Sequence, residues 1–184
     1  MRIAVLSDSH LPGALRTLDD LGNEPEHFFS NADLILHSGD VTSPAILDWL
    51  EQFAPVLCST GNNDPIADKR SQDTQVLTVL GLTIGMIHSL PRTNRPISEL
   101  QTYFPEPVDI MICGHTHQEV LEYREGVLIM NSGSITFPRH KDLRLGTVGL
   151  LDITNTTIQA NIICLGETKG KPNPGTELAV TVQR

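Results

Sequence analysis

The fold of this chain is organised around residues 109–117, Asp109-Ile110-Met111-Ile112-Cys113-Gly114-His115-Thr116-His117. Apolar residues lead into a glycine, and two histidines then stand two positions apart. Side chains at positions i and i+2 of an extended backbone point to the same side, so both imidazoles can face one point. A turn after a core strand that happens to carry two histidines gives the same letters, since short motifs often match by chance. Taken alone, the stretch leaves metal binding and a plain turn both open.

Four other apolar runs end in the same way, in a carboxylate, an amide or an imidazole. Residues 3–6 lead to Ser7-Asp8-Ser9-His10, 34–36 to His37-Ser38-Gly39-Asp40, 56–58 to Ser59-Thr60-Gly61-Asn62-Asn63-Asp64, and 84–87 to His88. Short apolar runs bounded by turn residues predict buried strands, and α/β sheets bind ligands beyond the carboxyl ends of their strands. One shared site explains all five endings.

Length and composition favour a soluble globular protein of one domain. The chain has 184 residues, 39% of them apolar and 19% charged, which suits a substantial core and not a disordered chain. Its apolar runs are far shorter than the roughly 18 residues of a membrane span, and the N-terminal run is too short for a signal peptide. The chain has three cysteines, Cys58, Cys113 and Cys164, which lie in apolar runs. Because they are odd in number and apolar in setting, we predict reduced core thiols and a cytoplasmic location.

The charge balance argues against nucleic acid as a partner. Lys and Arg number 13 against 22 Asp and Glu, a net charge of −9, and nucleic-acid binding depends largely on neutralising phosphates. Divalent cations at the strand ends would reverse the sign locally. A small phosphorylated substrate could then enter a positive cleft on an acidic protein.

The order of the elements, with βα units first and antiparallel strands later, favours a layered α/β sandwich of two sheets. Apolar spacing predicts an amphipathic helix that Gly22 ends and that carries Leu11, Ala14, Leu15, Leu18 and Leu21. A polar connector is predicted over 24–31, and a second helix begins with Ser43 as N-cap and Pro44 in the first turn.

The rest of the chain adds mostly strands. We predict hairpins over 75–80/82–88 and 119–124/127–131, a short helix over 97–104, and a strand pair over 146–153/157–164. Residues 68–73 are charged and predicted to be exposed. Residues 1–165 are assigned to one domain, and residues 166–184 to a C-terminal extension of it that is either a mobile tail or an edge strand.

Seven side chains at the strand ends are candidate metal ligands: Asp8, His10, Asp40, Asn62, His88, His115 and His117. All offer oxygen or nitrogen, which suits Mn, Fe, Co, Ni or Zn better than Ca or a zinc site closed by cysteines. Seven ligands exceed one tetrahedral ion but suit two ions if a carboxylate bridges them, and Asp40 is the best candidate for the bridge. Two ions bridged in this way lie about 3.5–4 Å apart. Spacing alone cannot divide the ligands between the ions.

In this order, the motifs resemble those of calcineurin-like metallophosphoesterases. The resemblance covers residues 8–117 and rests on Asp8-Ser9-His10, Gly39-Asp40, Gly61-Asn62-Asn63-Asp64, His88 and Gly114-His115-Thr116-His117. Asn131-Ser132-Gly133-Ser134 is similar to a turn of small members of the family. The resemblance implies a four-layer αββα sandwich of two mixed β-sheets flanked by helices.

The resemblance also implies a mechanism and a division of the ligands. One ion would be held by Asp8, His10, Asp40 and His117, and the other by Asp40, Asn62, His88 and His115. The implied enzyme is a phosphodiesterase in which a metal-bound hydroxide attacks phosphorus in line with the leaving oxygen. Manganese is our first choice for both ions, with iron, zinc, nickel and cobalt as alternatives.

One departure from the family pattern narrows the substrate. Many members have histidine where this chain has Asn63, and that histidine is thought to protonate the leaving group. An amide can donate a hydrogen bond but cannot act as an acid near pH 7. We therefore predict a preference for good leaving groups, with Asn63 contacting the substrate. Asn63 and Asp64 are the candidate catalytic residues. Asp64 would orient residue 63 or another group next to the ligands, and the alternative is that it only stabilises the turn.

Phosphate contacts and partners are less constrained by the pattern. The candidates for phosphate contact are Arg92, Arg95, Arg139, His140 and Arg144, of which Arg139 is preferred because it follows the 131–134 turn. His37 is interpreted as a packed histidine or as one that supports a neighbouring ligand. The alternative function is a protein-interaction scaffold of the same fold, as in a retromer subunit, but scaffolds usually lose ligands and this chain keeps all seven. A nuclease fits poorly with the acidic charge, and a homo-oligomer stays open.

Overall fold

The computed structural model describes residues 1–13, 15–64, 68–139, 145–168 and 171–184. Its strands in these ranges are β1 Arg2–Leu6, β2 Leu34–His37, β3 Val56–Ser59, β4 Ser71–Gln72, β5 Thr74–Val79, β6 Leu82–Ile87, β7 Ile110–Cys113, β8 Glu119–Arg124, β9 Val127–Ser132, β10 Thr147–Ile153, β11 Thr157–Cys164, β12 Glu167–Thr168, β13 Lys171–Pro172 and β14 Leu178–Gln183. Its helices there are α1 Asn23–Phe29, α2 Ala45–Leu50 and α3 Ile97–Leu100, with 3-10 turns at Leu18–Leu21 and Gln101–Tyr103.

Two mixed sheets carry the fold. The first has the strand order β14-β11-β10-β1-β2-β3-β4, and the second has the order β5-β6-β7-β9-β8. Strands β1 to β4 run parallel in the first sheet, and β10, β11 and β14 join antiparallel. In the second sheet β6, β7 and β9 run parallel between antiparallel edge strands. The parallel strands of each sheet therefore send the loops at their carboxyl ends to a common edge.

Alternate residues of these strands face different layers, as the pleat of a strand requires. Val5 of β1 and Ile112 of β7 belong to the same core between the two sheets. Their neighbours point outward: Leu6 packs in a cluster with residues of α1 and α2, and Met111 packs in a third cluster with Leu100 of α3. Helices thus cover the outer faces of two packed sheets, and the predicted four-layer α/β sandwich is confirmed.

The predicted amphipathic helix over residues 11–21 is wrong. Residues 11–13 and 15–17 are irregular, and only the 3-10 turn at Leu18–Leu21 follows. Ala14, which the prediction included, lies outside the described residues. The first helix is α1, which lies in the segment predicted to be a polar connector.

Local chemistry explains why the leucine spacing misleads. Pro12 has no N–H to donate, and Gly13 has little helix propensity, so a helix is not favoured at this point. Leu11 and Leu15 are buried all the same, at 4% and 6% exposure, because an irregular segment can bury apolar side chains at the same spacing. In α1 the buried anchor is Phe29, whose ring contacts Trp49 of α2 edge-on.

The predicted exposure of residues 68–73 is wrong for Arg70, whose side chain is only 7% exposed. Its guanidinium donates to Asp68, Asp48 and Glu51 over distances of 2.7–3.0 Å. A buried guanidinium needs such carboxylate partners, because an unpaired charge is costly in the interior. The pairs also fix the segment before β4 against α2.

Most of the other predicted elements are confirmed. The two hairpins are β5–β6 and β8–β9, and the strand pair is β10–β11. The second helix begins one residue later than predicted, with Pro44 as its N-cap residue. Strand β14 pairs with β11 as an edge strand of the first sheet, and Cys58 and Cys113 are buried free thiols while Cys164 is partly exposed. The longest described helix, α1, has seven residues, far short of the roughly 20 that cross a bilayer.

Candidate metal centre

Five loops at the carboxyl ends of β1, β2, β3, β6 and β7 meet at one pocket and carry all seven predicted ligands. A cavity of about 380 Å³ is lined by His10, Asp40, Asn62, His115 and His117. The other two ligands, Asp8 and His88, are buried next to these residues, at 0% and 5% exposure. The convergence predicted from the strand endings is therefore present.

The backbone of the site is strained at several ligands. Five of them have positive φ angles, namely Asp8 at 52°, His10 at 41°, Asp40 at 58°, His115 at 68° and His117 at 54°. This conformation costs about 1–2 kcal/mol for a residue other than glycine. Hydrogen bonds between the loops hold it, since Asp8 N–H donates to Gly39 at 2.9 Å and His10 N–H to the Asp40 carbonyl at 3.0 Å. Such strain is typical of functional sites, where it aims side chains that a relaxed turn would point elsewhere.

Two glycines allow the loops to approach closely. A Cβ on Gly61 would lie 2.1 Å from the backbone nitrogen of Asp40, and one on Gly114 would lie 1.8 Å from Ser7 Oγ. Both distances are far below van der Waals contact, so no other residue fits without moving a ligand loop. Gly114 is the glycine of the stretch around which the chain is organised, and it places the second sheet directly against the first.

The first group of ligands comprises Asp8, His10 and His117. The Nε2 atom of His117 lies 3.4 Å from Asp8 Oδ1, and His10 Nε2 lies 3.9 Å from the same oxygen. The two Nε2 atoms are 3.1 Å apart. Asp40 adjoins this group, with Oδ2 at 3.5 Å from His10 Nε2.

The second group lies on the other side of Asp40. Its Oδ1 atom is 3.5 Å from His88 Nε2, which in turn is 3.1 Å from Asn62 Oδ1. The ring of His115 stands edge-on to that of His88, with ring centroids 5.1 Å apart. Asp40 therefore faces both groups with one oxygen each, as a bridging carboxylate must.

Hydrogen bonds at the far side of two histidine rings aim lone pairs into the pocket. The Nδ1 atom of His117 lies 2.6 Å from the Phe137 carbonyl, and that of His88 lies 2.7 Å from the Ser38 carbonyl. A carbonyl can only accept, so each Nδ1 carries the proton and each Nε2 presents its lone pair. These lone pairs face carboxylate oxygens, including Asp8 Oδ1, which is buried and has no hydrogen-bond partner among the described residues. Electron-rich atoms in such an arrangement fit divalent cations, which would bind all of them at once.

The ionisation of the site follows from burial and from these neighbours. Burial opposes the charge on Asp8, but the neighbouring His117 ring and the Ser7 hydroxyl, which donates to Oδ2, outweigh it and lower the pKa of this carboxyl. For His117 burial also opposes the charge, but the contact with Asp8 outweighs it and raises the pKa. Burial lowers the pKa of His10, which favours the neutral imidazole that metals bind.

A family model for the calcineurin-like phosphoesterase superfamily domain matches residues 1–156. The chain belongs to this superfamily. A metallophosphoesterase relative from Methanothermobacter thermautotrophicus, named "Probable metallophosphoesterase", is 34% identical over 170 residues, which cover 90% of this chain and 94% of the relative. A protein from Methanocaldococcus jannaschii named as a phosphodiesterase is 24% identical over 144 residues, covering 72% and 83% of the two chains. The resemblance in the motifs is thus confirmed at the level of the family, whose members depend on divalent metal.

Solved structures of Vps29 share the fold of this chain. Vps29 from Chaetomium thermophilum has a TM-score of 0.80 at 18% identity, covering 100% of this chain and 95% of the other. Vps29 from Entamoeba histolytica, in complex with Zn²⁺, has a TM-score of 0.75 at 21% identity, covering 100% and 99%. At these identities the likeness concerns the fold alone.

In this member of the superfamily, Asn63 and Asp64 contact the Asp40 loop. The side-chain amide of Asn63 donates to Asp40 Oδ2 at 2.7 Å, and its backbone N–H donates to Oδ1 at 2.8 Å. Asp64 accepts three backbone N–H groups, from Asp40 at 3.1 Å, Thr42 at 2.8 Å and Gly61 at 2.7 Å. The structure thus places Asp64 where it ties two ligand loops together, while its predicted catalytic role and that of Asn63 stay predictions.

The predicted phosphate contacts are dispersed. Arg139 lies beside His117 and donates to Gln118 Oε1 at 2.6 Å, at the rim of the site. Arg92 lines a separate cleft of about 650 Å³, and Arg95 is exposed and paired with Glu99. His140 and Arg144 lie outside the described residues. Contact between Arg139 and the substrate therefore stays a prediction.

Two further residues complete the surroundings of the site. His37 is fully buried, with Nε2 at 2.9 Å from Ser9 Oγ, and burial lowers its pKa to about 4; its interpretation as a packed histidine is confirmed.

Phe137, which the sequence pattern did not single out, lines the cavity and is 37% exposed. The only signal for it was its position shortly after the 131–134 turn, whose Ser134 hydroxyl donates to the Asp8 carbonyl at 2.6 Å.

Proposed function

We propose that this metallophosphoesterase is a phosphodiesterase that uses two divalent metal ions to hydrolyse small diesters with good leaving groups. The observation that supports it is the buried Asp8 Oδ1, which has no hydrogen-bond partner in the described part of the chain and lies where oxygen and nitrogen lone pairs from five loops converge. A pair of cations would satisfy all of these atoms. Such ions neutralise charge on phosphoryl oxygens and make bound water more acidic.

The ligand groups support the division of the proposed ions. Asp8, His10 and His117 form one group of three within 4.8 Å, and Asp8, Asp40 and His88 form another. Asp8 is common to both groups. Asp40 lies between the histidines of the two groups, with Oδ2 3.5 Å from His10 Nε2 and Oδ1 3.5 Å from His88 Nε2, which supports the bridging role proposed for it. Manganese is the metal we propose first. Zinc is the alternative, because a Vps29 structure of the same fold contains Zn²⁺.

Asn63 is the residue that we propose to set the leaving-group preference. Its amide donates to Asp40 and has no acidic proton near pH 7. The departing oxygen must then leave as an anion or take its proton from water, so the reaction depends strongly on the acidity of the leaving alcohol. Aryl diesters are expected to react much faster than alkyl diesters for this reason.

A protein-interaction scaffold is the second candidate, and the fold shared with Vps29 favours it. The ligand set separates the two functions, because a scaffold has no need of seven converging ligands or of a strained backbone beneath them. The ligands are complete here, so the enzyme is preferred. Cytoplasmic location and homo-oligomer formation remain predictions.

Metal analysis combined with hydrolysis tests the proposal. Purified protein should bind two equivalents of Mn²⁺ and hydrolyse bis(p-nitrophenyl) phosphate, and Asp40→Asn should lose both the second equivalent and at least about 100-fold of the activity, since outer partners alone shift activity about 10- to 100-fold. Asp19→Asn, at an exposed carboxylate, is the matched control and should leave both unchanged. Protein that binds no metal and turns over no diester would instead favour the scaffold.

A further inference from the structure

Phe137 presents an exposed aromatic ring to the metal pocket, although neither metal binding nor the proposed phosphoryl chemistry needs one. Its ring centroid lies 5.6 Å from that of His117 and 6.1 Å from that of His10, with both pairs edge-on. It also lines the same cavity, beside Pro12. At 37% exposure, the ring is far more open than a core phenylalanine, because large apolar side chains are normally buried.

The backbone around Phe137 holds this ring firmly in place. Its N–H donates to Ser134 Oγ at 2.8 Å, and its carbonyl accepts from His117 Nδ1 at 2.6 Å. The neighbouring Thr136 hydroxyl donates to the Ser9 carbonyl. The backbone that carries the ring is therefore fixed relative to His117 and the His10 loop, as the base of a binding surface has to be if it is to discriminate between substrates.

We propose that Phe137 forms the wall of a subsite that binds a flat aromatic or heteroaromatic group attached to the phosphoryl group of the substrate. The inference rests on the proposed function, because it assumes that the phosphoryl group binds between the two ligand groups. A cavity of about 380 Å³ has room for more than a phosphoryl group. The group esterified next to the His10–His117 side then lies within contact distance of the ring, and aromatic pairs with centroids about 4.5–7 Å apart attract each other beyond simple burial.

The role of the ring can be separated from metal binding, because Phe137 orients His117 through its backbone carbonyl and not through its side chain. Phe137→Ala removes the wall and keeps the hydrogen bond to the metal ligand. Phe137→Tyr keeps a flat ring in the same place. Tyr123→Ala is the matched control, since this aromatic residue of β8 is 46% exposed and is not among the residues that line the cavity.

Binding of ligands that have no good leaving group tests the proposal with little interference from leaving-group chemistry. Calorimetry on Mn²⁺-loaded protein would compare phenylphosphonate with methylphosphonate, and uridine 5′-phosphate with ribose 5-phosphate, so that aryl and nucleoside sources of the ring are distinguished. Wild-type protein, Phe137→Tyr and Tyr123→Ala should prefer the ring-bearing member of at least one pair by about three- to tenfold. Phe137→Ala should bind both members equally to within about twofold while keeping its metal content.

The outcomes distinguish failure of the subsite from failure of the proposed function. Equal binding of both members by the wild-type protein, or a preference that survives in Phe137→Ala, overturns the subsite. A ring preference that disappears in Phe137→Ala supports the subsite even if the metal-loaded protein hydrolyses no diester, in which case it is the proposed function that fails.

Discussion

Removal of the Asp64 carboxylate should loosen the two loops that carry Asp40 and Asn62. Its Oδ2 atom accepts the N–H groups of Asp40 and Gly61, and its Oδ1 atom accepts that of Thr42. Asp40 and Thr42 both have positive φ angles, at 58° and 61°, so these hydrogen bonds also hold a strained backbone. The change is Asp64→Ala, with Asp64→Asn as a graded version.

The magnitude follows from the three hydrogen bonds. Each bond from an N–H to a charged group contributes about 1.5–3 kcal/mol. Asp64 is partly exposed, so water can replace some of what is lost, and about 3–4 kcal/mol in the free energy of unfolding is expected for Asp64→Ala. Asp64→Asn keeps one oxygen, which can still accept from Asp40 and Gly61, and loses the bond from Thr42. About 1–2 kcal/mol is expected for that variant.

Urea unfolding and metal titration measure the two consequences. The midpoint of unfolding should fall in the order wild type, Asp64→Asn, Asp64→Ala, and the weaker-binding Mn²⁺ equivalent should lose affinity in the same order, because Asp40 and Asn62 lie in the loops that Asp64 ties together. Asp73→Ala, at an exposed carboxylate, is the control. An unfolding midpoint for Asp64→Ala equal to that of the control would refute the reasoning.

Three further changes have defined outcomes. Asn63→His should supply an acid for the leaving group and narrow the rate ratio between aryl and alkyl diesters, measured as kcat/KM; wild-type protein that already hydrolyses both alike would contradict this. Burial lowers the pKa of His37 from 6.5 to about 4, so the stability it supports is complete above pH 6.5 and is lost as the pH falls towards 4. Between pH 7 and pH 4, the free energy of unfolding measured in urea should fall by about 3 kcal/mol more for wild-type protein than for His37→Gln. Parallel pH profiles of this free energy for the two proteins would argue against the prediction. Gly114→Ala places a Cβ 1.8 Å from Ser7 Oγ and should lower the free energy of unfolding by about 1–3 kcal/mol and weaken Mn²⁺ binding at Asp8. Gly126→Ala places a Cβ that meets nothing within 4 Å, at a φ of +80°, and should keep its metal.

The convergence of the seven candidate ligands could be predicted from the sequence because strand periodicity and strand direction are local properties. An apolar run such as 110–112 indicates a buried strand, and parallel strands deliver their ends to one edge of a sheet. Helices were harder to predict. The leucines at 11, 15, 18 and 21 recur at helical spacing, but Pro12 and Gly13 break the helix and the core accepts the same side chains from an irregular segment.

The amino-acid sequence by itself determined which chemical groups stand at the strand ends, their order along the chain, and that oxygen and nitrogen, not sulfur, would face any metal. Only the tertiary structure decided where those groups point and what supports them: the positive φ angles at the ligands, the three N–H groups gathered by Asp64, and the Phe137 ring beside the pocket. The physical reason is the range of the contacts. His117 lies 107 residues from His10 and 109 residues from Asp8 along the chain. A backbone conformation that is stabilised by partners at such separations leaves no local pattern in the sequence.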